Sequence, residues 1–219
     1  MTKQIPDKVL YKGQEFILAG LKGTGLFSPV DFGISRKMMG IATACYRGYF
    51  CKYACNENKL TLVGLGIIQN DDVEFPAIQG IAAKSDGIGL FYSYENLHIP
   101  CPFSGGLILV LNPVALVSDY PSPIEFEEVV EVLFEKGEFQ REIIHSTTIA
   151  RLREQVDGVS ENLKSNSELS EVLRKWESPH GKVSDQETKM FNEYINKIAE
   201  KTIEIEWSFV SNYEQQPPR

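Results

Sequence analysis

Three of the chain's four cysteines fall within "CYRGYFCKYAC", Cys45 to Cys55. Thiolates held together bind zinc or exchange disulfides, so the first question is whether this spacing lets the sulfurs meet. Read as one strand, the segment puts Cys45, Cys51 and Cys55 on one face with Arg47, Tyr49 and Tyr53. A shared face is not a shared place. At a strand's rise per residue, Cys51 and Cys55 stand about 13 Å apart and Cys45 about 20 Å from Cys51. Sulfurs on one zinc ion must each come within about 2.3 Å of it. The spacing also lacks the C-x2-C unit of zinc knuckles and ribbons. On a helix Cys51 and Cys55 would be neighbours, but the aromatics and Gly48 favour a strand. We therefore expect core cysteines, with no metal and no cofactor.

The fourth cysteine is the better nucleophile candidate. Cys101 lies between prolines in "HIPCPFSGG", three residues from His98, and Gly105-Gly106 could expose backbone N–H groups to a developing oxyanion. The competing reading is a proline-rich loop with a buried thiol, because base and nucleophile are rarely sequence neighbours. "GLKGTG" (Gly20 to Gly25) suggests a phosphate loop but lacks the Gly-Lys-Ser/Thr ending, and no helix follows it. His145 and His180 stand outside any metal-binding spacing.

Two binding surfaces compete with these readings. Tyr49, Tyr53 and Tyr92 could line an apolar cleft, though cross-strand core pairs are the commoner use of such rings. From Asp119 to Glu142, eight carboxylates meet two basic residues. Glu125, Glu127, Glu128 and Glu131 could form the charged face of an edge strand, where they would blunt aggregation or meet a basic protein partner.

The elements that position these residues are legible in part. "VLYKGQEFIL" and "VLFEKGEFQREI" are apolar-aromatic runs around Lys12-Gly13 and Lys136-Gly137, both tight-turn signals. A third, longer hairpin is expected around Asn56-Glu57-Asn58, and a fourth pair from "GLFYSY" and "GLILVL". These give seven or eight antiparallel strands over residues 1–145.

Past residue 146 the texture turns polar and helical. Ile149, Leu152, Val156, Val159 and Leu163 step by three and four, with Gly158 weakening the run by about 1 kcal/mol. Ser165 with Glu168, and Ser184 with Glu187, make capping boxes for two further helices. In "TIEIEWSFV", Ile203, Ile205, Trp207 and Phe209 alternate with polar residues, which predicts a final strand, with a continued helix as the alternative. Residues 211–219 are expected to be a disordered tail.

The stretches "VLYKGQEFILAGLKGTGLFSPVDFGI", "ACYRGYFCKYAC", "IPCPFSGGLIL" and "VLFEKGEF" together resemble a family of uncharacterised bacterial proteins across the first 145 residues. The resemblance implies a bacterial setting and carries over no activity and no functional residue.

Composition bounds the rest. With 219 residues, 42% hydrophobic and 24% charged, the chain has the make-up of an ordinary globular protein. A net charge of −8 argues against nucleic acid and against anionic membranes. No leader-length apolar run opens the sequence, which points to the cytoplasm and to reduced thiols. The expected fold class is α+β: an antiparallel β-rich domain at 1–145, then two or three helices and a final strand at 146–210 packing on it. The leading functional expectation is a non-enzymatic interaction protein that neutralises a basic partner, as toxin-immunity proteins do. The alternatives are a hydrolase using Cys101 with His98, and a β module binding a small ligand. Oligomeric state is not legible.

Overall fold

The computed structural model describes residues 3–69, 73–87, 91–114, 118–165 and 184–216. The chain divides into two compact units, Met1–Ser146 with Asn212–Arg219, and Thr147–Ser211.

The first unit is one sheet. Its strands are β1 (Lys8–Tyr11), β2 (Gln14–Thr24), β3 (Tyr49–Asn56), β4 (Lys59–Ile68), β5 (Lys84–Ser85), β6 (Phe91–Pro100), β7 (Ser104–Pro113), β8 (Phe126–Glu135), β9 (Glu138–Ile144) and β10 (Glu214–Gln215). Among the described residues these ten run in the order β3-β1-β2-β7-β8-β9-β4-β6-β5, with β10 beside β2. Because β3 also pairs with β4, the ladder from β3 round to β4 closes on itself. The closure comes where β4 and β9 begin, at Lys59 opposite Glu138. Two backbone bonds seal it: Leu60 N–H to Gly137 O at 2.8 Å and Phe139 N–H to Asn58 O at 2.7 Å.

Local chemistry accounts for the hairpins. Lys12 and Gly13, Glu57 and Asn58, and Lys136 and Gly137 all have positive φ. That is the two-residue turn whose twist matches the flanking strands. The third hairpin is therefore shorter than expected, since Asn56 stays in β3. In β7, Leu107 and Leu109 face the central core while Ile108 and Val110 are equally buried, so the run is apolar on both faces.

Three expectations about the sheet are corrected. It is mixed, not antiparallel, because β1 runs parallel to β3. Parallel neighbours need a long crossover, supplied here by residues 25–48 with their 3-10 turns at Pro29–Phe32 and Arg36–Met38. β6 and β7 do not form a hairpin: β6 pairs with β4 and β5, β7 with β2 and β8. The cause is the Pro-Cys-Pro link, whose prolines donate no hydrogen bond and whose one N–H, on Cys101, goes to Leu60 O at 3.0 Å. Finally, β8 lies between β7 and β9 and is no edge strand.

The expected α+β class, with two or three helices and a final strand after an antiparallel domain, is likewise overturned. The described residues are mostly sheet with two helices, α1 (Ser146–Ser165) and α2 (Asp185–Glu206). The strand expected at Ile203–Phe209 is helical through Glu206. No glycine or proline interrupts the chain from Val183 to Glu206, so nothing stops the helix. Ile203 stands 39% exposed, which a half-buried strand would not allow. Of the stripe on α1, Ile149 and Leu152 are buried and Val156 is half-buried. Ser184 begins the second helix, accepting Thr188 N–H at 2.9 Å. The helix expected after Ser165, and His180, lie outside the described residues.

The tail also departs from expectation. Glu214 and Gln215 pair with Leu21 and Gly20, and Gln216 donates to Ala19 O at 2.8 Å. Residues 213–216 are thus an ordered part of the first unit. Among the described residues no helix is long and apolar enough to cross a membrane.

Candidate functional site

The four thiols are not poised for chemistry. Cys45, Cys51 and Cys101 are buried and Cys55 is half-buried. Burial raises the pKa of every one above the ordinary thiol value, that of Cys101 to about 11. Thiols above neutrality by that margin are protonated and weakly nucleophilic. Cys45 precedes β3 and points its sulfur at Tyr49 O, 3.4 Å away, so the three cysteines do not share one strand. Among the described residues no group of three or more His, Cys, Asp or Glu could hold a metal ion.

What the cysteine segment does hold is a buried ion pair. Asp7 takes both guanidinium arms of Arg47, and its Oδ1 also accepts Cys51 N–H at 2.6 Å. Arg47 Nε donates to Tyr49 O at 3.0 Å and its guanidinium lies 4.2 Å from the Tyr49 ring centre. Burial works against this charge, and Asp7 more than offsets it, holding the Arg47 pKa above its usual range. The cluster anchors the N-terminal segment to the start of β3.

Cys101 and His98 are not brought together as a pair. Cys101 is buried and donates weakly to Ile99 O, whereas His98 is exposed and its peptide is clasped by the Gln79 side chain through two 3.1 Å bonds. The tyrosines are not assembled either. Tyr53 is 2% exposed within the core, Tyr49 lies under Arg47, and Tyr92 packs against Phe75 with ring centres 5.2 Å apart.

Three of the four glutamates expected to face a partner, Glu125, Glu128 and Glu131, are engaged in internal contacts. Glu125 caps a 3-10 turn through Ser122 N–H at 2.9 Å, and Glu128 accepts from Asn112 Nδ2 at 2.7 Å. Glu131 is 9% exposed, bonded to His145 Nε2 at 2.9 Å and to the Tyr213 hydroxyl at 2.7 Å. Glu127 alone of the four is exposed. An outward acidic edge is therefore not present at these positions. Tyr213 reaches Glu131 across Gly106, where a Cβ would lie 1.7 Å from its hydroxyl. Gly106 serves this contact and β7 pairing, not an oxyanion hole.

The concave surface lies at the sheet's seam. A cleft of about 340 Å³ is lined by Lys59, Leu60, Lys136, Gly137 and Glu138, with Pro100, Cys101 and Pro102 as its wall. A second, of about 240 Å³, shares that wall and is lined on its other side by Leu26, Phe27, Asp31 and Phe32. The Phe27 and Phe32 rings stack with centres 5.1 Å apart. A third hollow, of about 150 Å³, lies beside Phe50 and Tyr94.

The wall is rigid for identifiable reasons. Pro100 and Pro102 fix φ on either side of Cys101. Cys101 N–H is bonded to Leu60 O, and Phe103 O receives Gly137 N–H at 2.7 Å. Lys136 N–H goes to Ser104 Oγ at 2.8 Å. Two glycines press on the link: a Cβ on Gly137 would sit 2.3 Å from Cys101 O, and one on Gly25 would sit 2.6 Å from Pro102 O. Both also have positive φ, so only glycine fits without strain. This resolves the "GLKGTG" motif, whose glycines allow close backbone approach; Gly23 likewise lies against Ser104 and Gly105. Sequence reasoning missed Lys59, Lys136, Phe27 and Phe32. The available signal was glycine and proline density in three segments far apart in sequence, which nothing local links.

No family model, curated protein or solved structure matches the chain.

Proposed function

We propose that the chain is a non-enzymatic binding protein whose ligand site is the pair of clefts divided by Pro100, Cys101 and Pro102. The observation that carries this reading is the shared wall: two hollows of about 340 and 240 Å³ meet on one backbone segment held by hydrogen bonds and glycine contacts. Small-molecule sites are preformed concavities of this order, with apolar linings and a few polar groups. The seam supplies both, in rigid form.

The hydrolase alternative is the weaker one. Its nucleophile would be a buried thiol with a pKa near 11, directed at the backbone carbonyl of Ile99. Its histidine is exposed and tied through its own backbone to Gln79.

Two measurements test the reading together. Small-molecule mixtures are titrated into isotope-labelled protein and amide shifts are mapped by NMR. Shifts should cluster at Leu60, Cys101, Lys136, Gly137 and Phe27. In parallel, iodoacetamide at neutral pH should modify half-buried Cys55 before Cys101. Cys101 reacting first, or shifts confined to other surfaces, would overturn the proposal.

A further inference from the structure

We infer that the ligand of the paired clefts is a monocarboxylate with an apolar, ring-sized group at its far end. This rests on the binding reading above and adds the chemical class and orientation of the ligand.

The charge argument begins with the lysines. Lys8, Lys12 and Lys52 are each paired with a glutamate, Glu15 or Glu142. Lys59 and Lys136 line one cleft and have no such pair among the described residues, in a chain whose net charge is −8. Glu138 lines the same cleft, opposite Lys59 in the ladder. Two ammonium groups and one carboxylate leave a single excess positive charge, which suits one negative charge on the ligand.

Backbone donors narrow the choice of anion. Phosphate groups are usually cradled by unsatisfied N–H groups in nests or at helix N-termini. Here the N–H groups of Leu60, Cys101, Gly137 and Phe139 are all bonded to backbone carbonyls, and that of Lys136 to Ser104. Recognition falls to the two ammonium groups alone, which favours a carboxylate. Orientation follows from the second cleft. Its stacked Phe27 and Phe32, with Leu26, Ile99 and the prolines, offer an apolar seat, and Asp31 repels a negative charge there. The carboxylate belongs with the lysines and the ring with the phenylalanines.

Three probes of matched shape test this: phenylhexanoate, phenylhexanol and phenylhexylammonium, each titrated into the full chain and followed by NMR shifts at the cleft residues. At low salt the carboxylate should bind about tenfold tighter than the alcohol, the scale of two partly exposed ion pairs. The preference should shrink toward nothing in about 1 M salt, where charges are screened within about 3 Å. The Lys59→Gln, Lys136→Gln double variant should lose the preference while still binding the alcohol. Equal binding of carboxylate and alcohol at the cleft, or tighter binding of the ammonium probe, overturns the ligand class and leaves the binding reading standing. If none of the three shifts a cleft residue, both fall.

Discussion

Cys101 shows how environment sets the meaning of a residue. In sequence it is a thiol between two prolines, near a histidine and a glycine pair, all of which suit a nucleophile. In the fold it is 3% exposed, and burial lifts its pKa to about 11. A group whose folded pKa is raised contributes stability that is complete below its unfolded pKa and is lost as pH rises toward the folded value. Between pH 8 and about 10 the thiol should therefore cost the fold about 1 kcal/mol. Cys101→Ser removes that titration and leaves the raised tyrosines Tyr11 and Tyr213 in place. Urea unfolding at the two pH values should show the variant's stability falling less than the parent's. An equal fall in both would mean that the thiol is not buried as described. The glutamates make the same point in reverse: four carboxylates within seven residues became a cap, a cross-strand acceptor, a buried carboxylate and one exposed charge.

Among the elements, the tight turns were readable and the seam was not. Lys12-Gly13 and Lys136-Gly137 are nearly the same sequence signal with nearly the same geometry, φ +80° and +84° at the glycine. Their surroundings differ. A Cβ on Gly13 meets nothing within 4 Å, whereas one on Gly137 meets Cys101 O at 2.3 Å. Gly13→Ala should thus cost only the left-handed backbone, about 1–2 kcal/mol. Gly137→Ala should cost more than that by about 1–3 kcal/mol, since the Phe103 and Leu60 bonds at the seam must shift to make room. Chemical denaturation of both variants decides it, and equal costs would mean that the seam yields freely. The helix read too short at Ile203 is a case of two periods overlapping. Its alternation fits a strand, but the absence of a stop signal let the helix run on.

Across the whole chain, one carboxylate stands where the first unit's two segments come together. Glu131 on β8 accepts from Tyr213, just after the Thr147–Ser211 unit in sequence, and pairs with His145, just before it. Burial and this bond both raise the Tyr213 pKa, keeping the phenol a donor. Tyr213→Phe would leave a buried carboxylate oxygen without its donor, at a cost of about 1–3 kcal/mol. The β10 amides should then exchange with solvent sooner than those of β7 and β8. Hydrogen exchange measures this directly, and unchanged protection at Gln216, whose N–H is bonded to Ala19 O, would show that the tail is held by its backbone alone.

The sequence by itself determined the locally encoded features: the two-residue turns at Lys12-Gly13 and Lys136-Gly137, the β-rich texture to residue 145 and the helix beginning at Ser184. Each depends on residues within a few positions of one another, where spacing and φ preference suffice. Tertiary structure alone decided the parallel β1–β3 pair, the closed ladder, the docked tail and the clefts. Those join Gly25, Lys59, Cys101 and Gly137, residues scattered over more than half the first unit. A backbone N–H at one of them finds its carbonyl at another only once the sheet has closed, and no local pattern records that meeting.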